Sequence, residues 1–164
     1  MIGQTLLMAN DRDAQWKQSK DASLVVPTTD ADFERYFDLR WRVLRAPWAQ
    51  PRGSERDDRE QESIHLMFRA ANGDALAAGR LHFNTPFEAQ VRFMAVDPRA
   101  QNCGLGSRLL EALEGRARDA GAKRIVLNAR ESAQRFYEQR GYCVEGPAER
   151  LFGGVDHWRM SKEI

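Results

Sequence analysis

The chain has 164 residues, a net charge of +1 and 30% charged residues. That length supports one sizeable core, and so balanced a charge gives no bulk attraction to nucleic acid or a membrane surface. No apolar run approaches a membrane span, the start MIGQTLLMANDRDAQ lacks the features of a signal peptide, and the two cysteines and three histidines show no metal-ligand spacing.

A cytoplasmic, disulfide-free protein without a metal is the expectation. Arginine outnumbers lysine by 21 to 4, a bias that suits bidentate anion contacts, although most surface arginines are simply solvated. Residues 1–22 are polar after a brief apolar start and read as a loosely held extension ahead of a single domain over residues 23–164. Leu24-Val25-Val26, closed by Pro27, reads as a first strand. Thr29 or Asp30 can cap a helix with Phe33, Phe37, Leu39, Val43 and Leu44 on its apolar side, ended by Pro47. The stretch Ala46–Ser63 carries two prolines, a glycine and dense mixed charge, and reads as a solvated loop with a short charged helix.

Two strands, Ile64–Ala70 and Ala75–Asn84, flank Asn72-Gly73, a strong hairpin signal. Glu88–Val96 returns as the third strand and stops at Asp97-Pro98, because proline cannot donate to a ladder. Beyond the loop Gln101–Gly106, Leu105, Leu109, Leu113 and Ala117 recur every four residues, with Leu110 beside them. This is one face of a helix, stopped at Ala120-Gly121. Arg124–Leu127 reads as a buried strand, parallel to the third because a helix connects the two. Ser132 can cap a helix through Arg140, and Tyr142–Val144 with His157–Met160 reads as a last antiparallel pair.

The chemistry concentrates in the loop. Glycines at a helix mouth let the backbone approach a ligand, and the first-turn N–H groups and helix dipole favour phosphate. Arg99 and Arg108 flank the loop. The same Gly104-x-Gly106 also fits a tight turn with glycines kept for packing. A dinucleotide fingerprint would need a small residue where Leu109 stands, and a Walker A loop would need Lys-Ser/Thr where Ser107-Arg108 stands.

Gln101-x-x-Gly104-x-Gly106 resembles motif A (Q/R-x-x-G-x-G/A) of the GNAT superfamily of acyl-CoA-dependent N-acyltransferases. Ala133-Gln134-Arg135-Phe136-Tyr137-Glu138-Gln139-Arg140-Gly141-Tyr142 is similar to that family's A-x-x-F-Y-E-x-x-G-F segment, in the same order and separated by one helix and one strand. The resemblance implies a mixed α/β fold: a twisted, mostly antiparallel sheet of about 6–7 strands, a V-shaped splay at Val91–Val96, and about 4 flanking helices. It also implies acetyl-CoA as co-substrate. Its pantetheine arm would lie against Met94, Ala95 and Val96, its pyrophosphate on Gln101, Asn102, Cys103, Gly104, Leu105, Gly106 and Ser107. Asn128, Ala133, Phe136 and Tyr137 would contribute from the downstream segment.

Aminolysis of a thioester needs a neutral amine, a proton acceptor and a donor for the leaving sulfur, and alkyl amines have a pKa of ~10. Tyr137 is the expected acid, since a buried phenol stays protonated; its alternative is an aromatic packed beside Phe136. The base is open. Where the histone-acetylating branch carries a strand glutamate this chain has Gln90, which leaves Glu88 on the same strand face, His82 and His157, or ordered water. The family's asparagine before the downstream segment is here Arg130, with Asn128 nearby. Trp41, Trp48, Glu55 and Asp58 would wall the acceptor if Ala46–Ser63 lies as in relatives.

The resulting expectation is an N-acetyltransferase moving acetyl from acetyl-CoA to a primary amine by direct attack in a ternary complex. The partners would be acetyl-CoA and an amine, with neither nucleic acid nor membrane, and with homodimerisation, common in the family, left open. A catalytically silent acyl-CoA sensor of the same fold is the alternative, motivated by Gln90.

Overall fold

The computed structural model describes residues 19–164, so most of the expected N-terminal extension, residues 1–18, lies outside the described residues. Seven strands are hydrogen-bonded in the order β1-β2-β3-β4-β5-β7-β6. They are β1 (Ser23–Val25), β2 (Ile64–Arg69), β3 (Ala75–Thr85), β4 (Glu88–Val96), β5 (Arg124–Arg130), β6 (Cys143–Pro147) and β7 (His157–Glu163). β1 with β2, β5 with β7 and β6 with β7 are antiparallel, and β4 with β5 is parallel. Helices α1 (Asp30–Leu44), α2 (Leu105–Asp119) and α3 (Gln134–Glu138) belong to the mixed α/β architecture, and residues 19–20 are helical as well.

The chain divides into two compact units, one holding residues up to Asp57, His65–Gly79 and Phe93–Glu111, the other Asp58–Ile64, Arg80–Arg92 and Ala112–Ile164. In the first unit, Thr29 caps α1 by accepting the Asp32 N–H (3.1 Å). The helix buries Tyr36, Phe37 and Leu39 against Met67, Ala75, Ala78 and Ala95. The alanines bring the helix close to the strands, and the Tyr36 hydroxyl, carried into this apolar layer, donates to Gly79 O (2.9 Å). The hairpin signal is realised with only Gly73 in the left-handed region (φ 92°). Asn72 contributes through its side chain instead, accepting the Asp74 N–H (3.0 Å).

In the second unit, Ile125, Val126 and Leu127 are buried on both faces of β5, as the apolar run predicts. The parallel register of β4 and β5 covers Glu88↔Arg124 to Gln90↔Val126. It ends there, although β4 continues to Val96 and β5 to Arg130. Leu105, Leu109, Leu110, Leu113 and Ala117 of α2 are all buried, as their spacing requires. Gly121 (φ 94°) ends the helix, with Gly121 N–H on Arg118 O and Ala122 N–H on Ala117 O, the paired bonds of a glycine stop.

Three expectations are corrected. The charged helix in Ala46–Ser63 is replaced by the single 3-10 turns Ala46–Trp48 and Glu60–Glu62, since Pro47, Pro51 and Gly53 interrupt any longer ladder. The structure therefore has three helices among the described elements rather than about four. Ser132 does not cap α3: β5 runs to Arg130, Glu131–Ala133 forms a 3-10 turn, and the short helix starts at Gln134 without a side-chain cap.

One polar anchor was not legible beforehand. Buried Glu114 of α2 accepts the Tyr142 hydroxyl (3.0 Å) and takes Lys162 Nζ on both oxygens (3.0 and 2.9 Å), with Arg118 at 3.6 Å. Glu114→Ala strips the acceptor from a buried hydroxyl and a half-buried ammonium, and should lower unfolding free energy by about 2–3 kcal/mol in urea titration. Glu114→Gln, which still accepts from Tyr142, should cost less. Equal losses would show that the negative charge, rather than the hydrogen bonds, holds this anchor.

Candidate active site

The first unit contains the end of β4 and the loop. Along β4, Phe93 is the residue with a left-handed backbone (φ 54°), alone in that respect among non-glycine residues in the described strands. A bulky residue there costs on the order of 1–3 kcal/mol and persists only when its surroundings impose it. The Phe93 ring is flanked by the Arg40 guanidinium, 4.0 Å from its centroid, and by that of Arg45 at 5.4 Å. Met94, Ala95 and Val96 follow, with Ala95 buried and Met94 and Val96 half-buried.

Asp97 then turns the chain. Its N–H donates to Leu76 O (2.8 Å), and its buried carboxylate accepts Arg99 N–H (2.9 Å) and the Arg99 side chain (3.0 Å twice), with Arg42 at 3.4 Å. Burial alone would raise the Asp97 pKa. The Arg99 hydrogen bonds and the Arg99 and Arg42 charges outweigh it and hold the carboxyl below its ordinary range. Arg99, expected beside a phosphate, is thus engaged by Asp97. Arg108 is exposed, its guanidinium 4.5 Å from the Phe68 ring centroid.

Gln101 donates Nε2 to Val96 O (3.3 Å), which ties the loop to the strand end. Asn102 (φ 60°) and Gly104 (φ 79°) are left-handed, and the Arg108 N–H of α2 donates to Gly104 O (3.1 Å). Among the described residues, no hydrogen bond of ordinary geometry engages the N–H groups of Asn102–Gly106. A Cβ built on Gly104 would meet nothing within 4 Å. Unused donors, open space and an exposed arginine are the chemistry a diphosphate requires. Cys103 is half-buried with a free thiol.

The second unit holds the remaining residues. Asn128 is exposed on β5, opposite Arg159 of β7. Ala133 and Phe136 are half-buried and Tyr137 is buried, its ring edge-on to Phe136 (5.0 Å) and Tyr142 (5.7 Å). Burial pushes the Tyr137 phenol up to about 12, against the opposing charges of Arg130 and Arg140. At neutral pH it is a hydrogen-bond donor. Burial, offset by Tyr137, lowers the Arg130 pKa.

His82 and Glu88 prove to be ends of one chain. His82 Nε2 lies 3.2 Å from Asn84 Oδ1, and Asn84 Nδ2 donates to Glu88 (3.0 Å) and to Gln90 (3.1 Å). Asn84 was missed, although strand alternation places 82 with 84 and 88 with 90. His82 Nδ1 faces Arg80 at 3.4 Å, and burial, then the charges of Arg59 and Arg80, lower its pKa from 6.5 to about 4. Such a ring is neutral at pH 7 and a weak base. Glu88 also faces Arg159 (3.7 Å) and Arg124 (3.8 Å). His157 Nδ1 lies 3.0 Å from Val155 O.

Of the residues expected to wall an acceptor, Glu55 is buried and accepts the Gly53 N–H (2.7 Å), and Trp41 donates to Gln50 O (3.0 Å). Trp48 is half-buried and Asp58 exposed. Among the described residues there is no group of three or more His, Cys, Asp or Glu that could hold a metal ion, and no helix long and apolar enough to cross a membrane.

Comparison with known proteins bears on this arrangement. The family model for the acetyltransferase (GNAT) family matches residues 33–142. A UPF0039 protein of Schizosaccharomyces pombe is 32% identical over 114 residues, 67% of this chain and 74% of that one. An uncharacterized acetyltransferase of Streptococcus pyogenes is 30% identical over 76 residues, 46% of this chain and 54% of its own length. Among solved structures, a candidate N-acetyltransferase from Lactobacillus plantarum superposes with a TM-score of 0.76 at 21% identity, over 87% of this chain and 97% of that one. An aminoglycoside 6'-N-acetyltransferase complexed with coenzyme A gives 0.72 at 15% identity, over 86% and 96%. At these identities the structures show a shared fold.

The environment of His82 has a pH signature. Because its folded pKa lies below the unfolded value, the unfolded chain binds more protons between pH 6.5 and about 4. Stability should therefore fall on acidification through that window, by up to ~1.4 kcal/mol per pH unit. Urea titrations between pH 6.5 and 5.5, above the ordinary value of 4.5 at which the depressed Glu145 begins to contribute, should show this slope in the wild type and lose it in His82→Gln. An unchanged slope in the variant would mean that another group carries the titration.

Proposed function

The chain belongs to the acetyltransferase (GNAT) family, and from that premise we propose that it moves an acetyl group from acetyl-CoA to a primary amine by direct attack in a ternary complex. The observation that carries the reading is the row of unengaged N–H groups at Asn102–Gly106, open above Gly104. These groups, with Gln101 and Ser107 at their flanks, would bind the diphosphate, and the exposed Arg108 would add charge. The backbone of Met94, Ala95 and Val96 would receive the amides of the pantetheine arm. A strand N–H near Val96 would polarise the thioester carbonyl as negative charge develops on its oxygen. Asn128, Ala133 and Phe136 are assigned supporting contacts.

In the reaction the amine nitrogen attacks the thioester carbonyl carbon, so that a C–N bond forms and the C–S bond breaks. Tyr137 donates its hydroxyl proton to the departing sulfur and regains one from solvent; burial keeps the phenol protonated, and its pKa of about 12 makes it a weak acid whose donation the charge developing on sulfur must drive. The proton lost by the amine passes to water, with Glu88 as the side-chain acceptor beyond it. His82, a weak base through its pKa of about 4, serves to orient Asn84. The two free cysteines agree with a cytoplasmic setting.

The engagement of two of the three base candidates, His82 by Arg80 and Asn84 and Glu88 by Arg124 and Arg159, favours a second reading: an acyl-CoA sensor without turnover. Thiol release from acetyl-CoA across a panel of primary amines separates the two. For the enzyme, Tyr137→Phe should lower kcat about 10²-fold while coenzyme affinity measured by calorimetry is unchanged. Binding without thiol release from any amine would establish the sensor.

Gly104→Ala tests the loop. Its left-handed backbone should cost about 1 kcal/mol of stability, while the added methyl, standing where the diphosphate would lie, should raise the coenzyme dissociation constant about tenfold. Unchanged affinity would place the diphosphate elsewhere.

A further inference from the structure

The bend at Phe93 sits one residue before the strand backbone assigned to the pantetheine arm, and its ring is held by side chains of α1. Arg40, fully buried, stacks its guanidinium over Phe93 at 4.0 Å, with the rings of Phe37 at 5.1 Å and Tyr36 at 5.4 Å also within cation–π range. The same guanidinium donates to Glu55 O. Arg45, at the end of the same helix, reaches the Phe93 ring at 5.4 Å and donates Nε to Ser54 O (2.9 Å). Two arginines thus hold one ring from one side and adjacent loop carbonyls from the other. Glu55 closes the loop on itself through the Gly53 N–H (2.7 Å).

A phenylalanine has no intrinsic preference for a left-handed backbone. With its ring released, Phe93 would return to extended geometry and carry the amide and carbonyl of Met94 with it. A desolvated guanidinium against an aromatic face is among the stronger ways to fix a ring, and the planar arginine can stack on the ring while its fork still bonds a carbonyl, which a compact ammonium does less well. We propose that Arg40 is a positioning residue for acyl-CoA. It locks the Phe93 ring so that the left-handed bend presents the Met94–Val96 backbone to the pantetheine arm. Its functional consequence rests on the acetyltransferase reading; its structural core does not.

The test combines two readouts. In a crystal structure of Arg40→Lys, Phe93 should have left the left-handed region, with no coenzyme present. A Phe93 φ still near its present value would overturn the proposal whether or not the protein binds coenzyme. For function, Arg40→Lys should raise the coenzyme dissociation constant about tenfold by calorimetry. In a Phe93→Gly background, where glycine adopts the bend unaided, it should change affinity less than about twofold. Equal effects in both backgrounds would overturn the proposal. Leu66→Ala, buried on β2 and outside the cluster that α1 forms with Ala95, controls for stability: it should lower the unfolding midpoint and leave affinity unchanged. If it weakens coenzyme binding as much as Arg40→Lys does, Arg40 acts through general stability and the proposal fails. A wild type that binds no coenzyme refutes the functional reading and leaves the crystallographic readout to decide the role of Arg40.

Discussion

Backbone amides that the fold leaves without internal partners are the constraint on which the rest of this site depends. A buried donor must find an acceptor, so a run of unused N–H groups survives only where solvent or a ligand can reach it. Asn102–Gly106 meets that condition where Asp97 turns the chain and holds Arg99, Gln101 pins the loop to Val96 O, and Gly104 O takes the Arg108 N–H of α2. The left-handed Asn102 and Gly104 belong to this arrangement.

Arginine explains much of how the chain is held in place. Of the arginines that composition suggested for anions, Arg99 is tied to Asp97, Arg69 to Asp32, Arg80 to Glu60, and Arg124 and Arg159 to Glu88 and Glu145. Arg40, Arg52, Arg56 and Arg108 lie over aromatic rings. Lysine could not serve equally in such places, because a planar, weakly hydrated cation both stacks and forks. The bias toward arginine therefore reads mainly as architecture. Exposed pairs such as Arg52 with Asp38 contribute little to stability, whereas pairs with one buried member position a strand end or a loop.

The candidate acid and the candidate bases illustrate opposite uses of burial. Desolvation raises the Tyr137 phenol and so preserves a proton donor, while the same effect lowers His82 and removes a proton acceptor. Three arginines near His82 deepen that loss. Asn84, joining His82 to Glu88 and Gln90, turns three strand residues into a polar chain that orients side chains without a strong base in it.

Local patterns in the sequence were enough to locate the strand ending at Pro98, the glycine loop, the five apolar positions of α2, the hairpin at Gly73 and the buried strand Arg124–Leu127, because each follows from interactions within a few residues. They were likewise enough for the family, carried by Gln101, Gly104 and Gly106 together with Ala133–Tyr142. The helix expected in Ala46–Ser63 failed on Pro47, Pro51 and Gly53, and the Ser132 cap failed because β5 runs on to Arg130 and a 3-10 turn takes up Glu131–Ala133. Tertiary structure alone decided that Phe93 bends, that Arg40 stands over it, that Glu114 anchors Tyr142 and Lys162, and that His82 is a weak base. Each of these depends on groups far apart in the chain being buried side by side, where charge, desolvation and stacking act across space and leave no periodic trace in the order of residues.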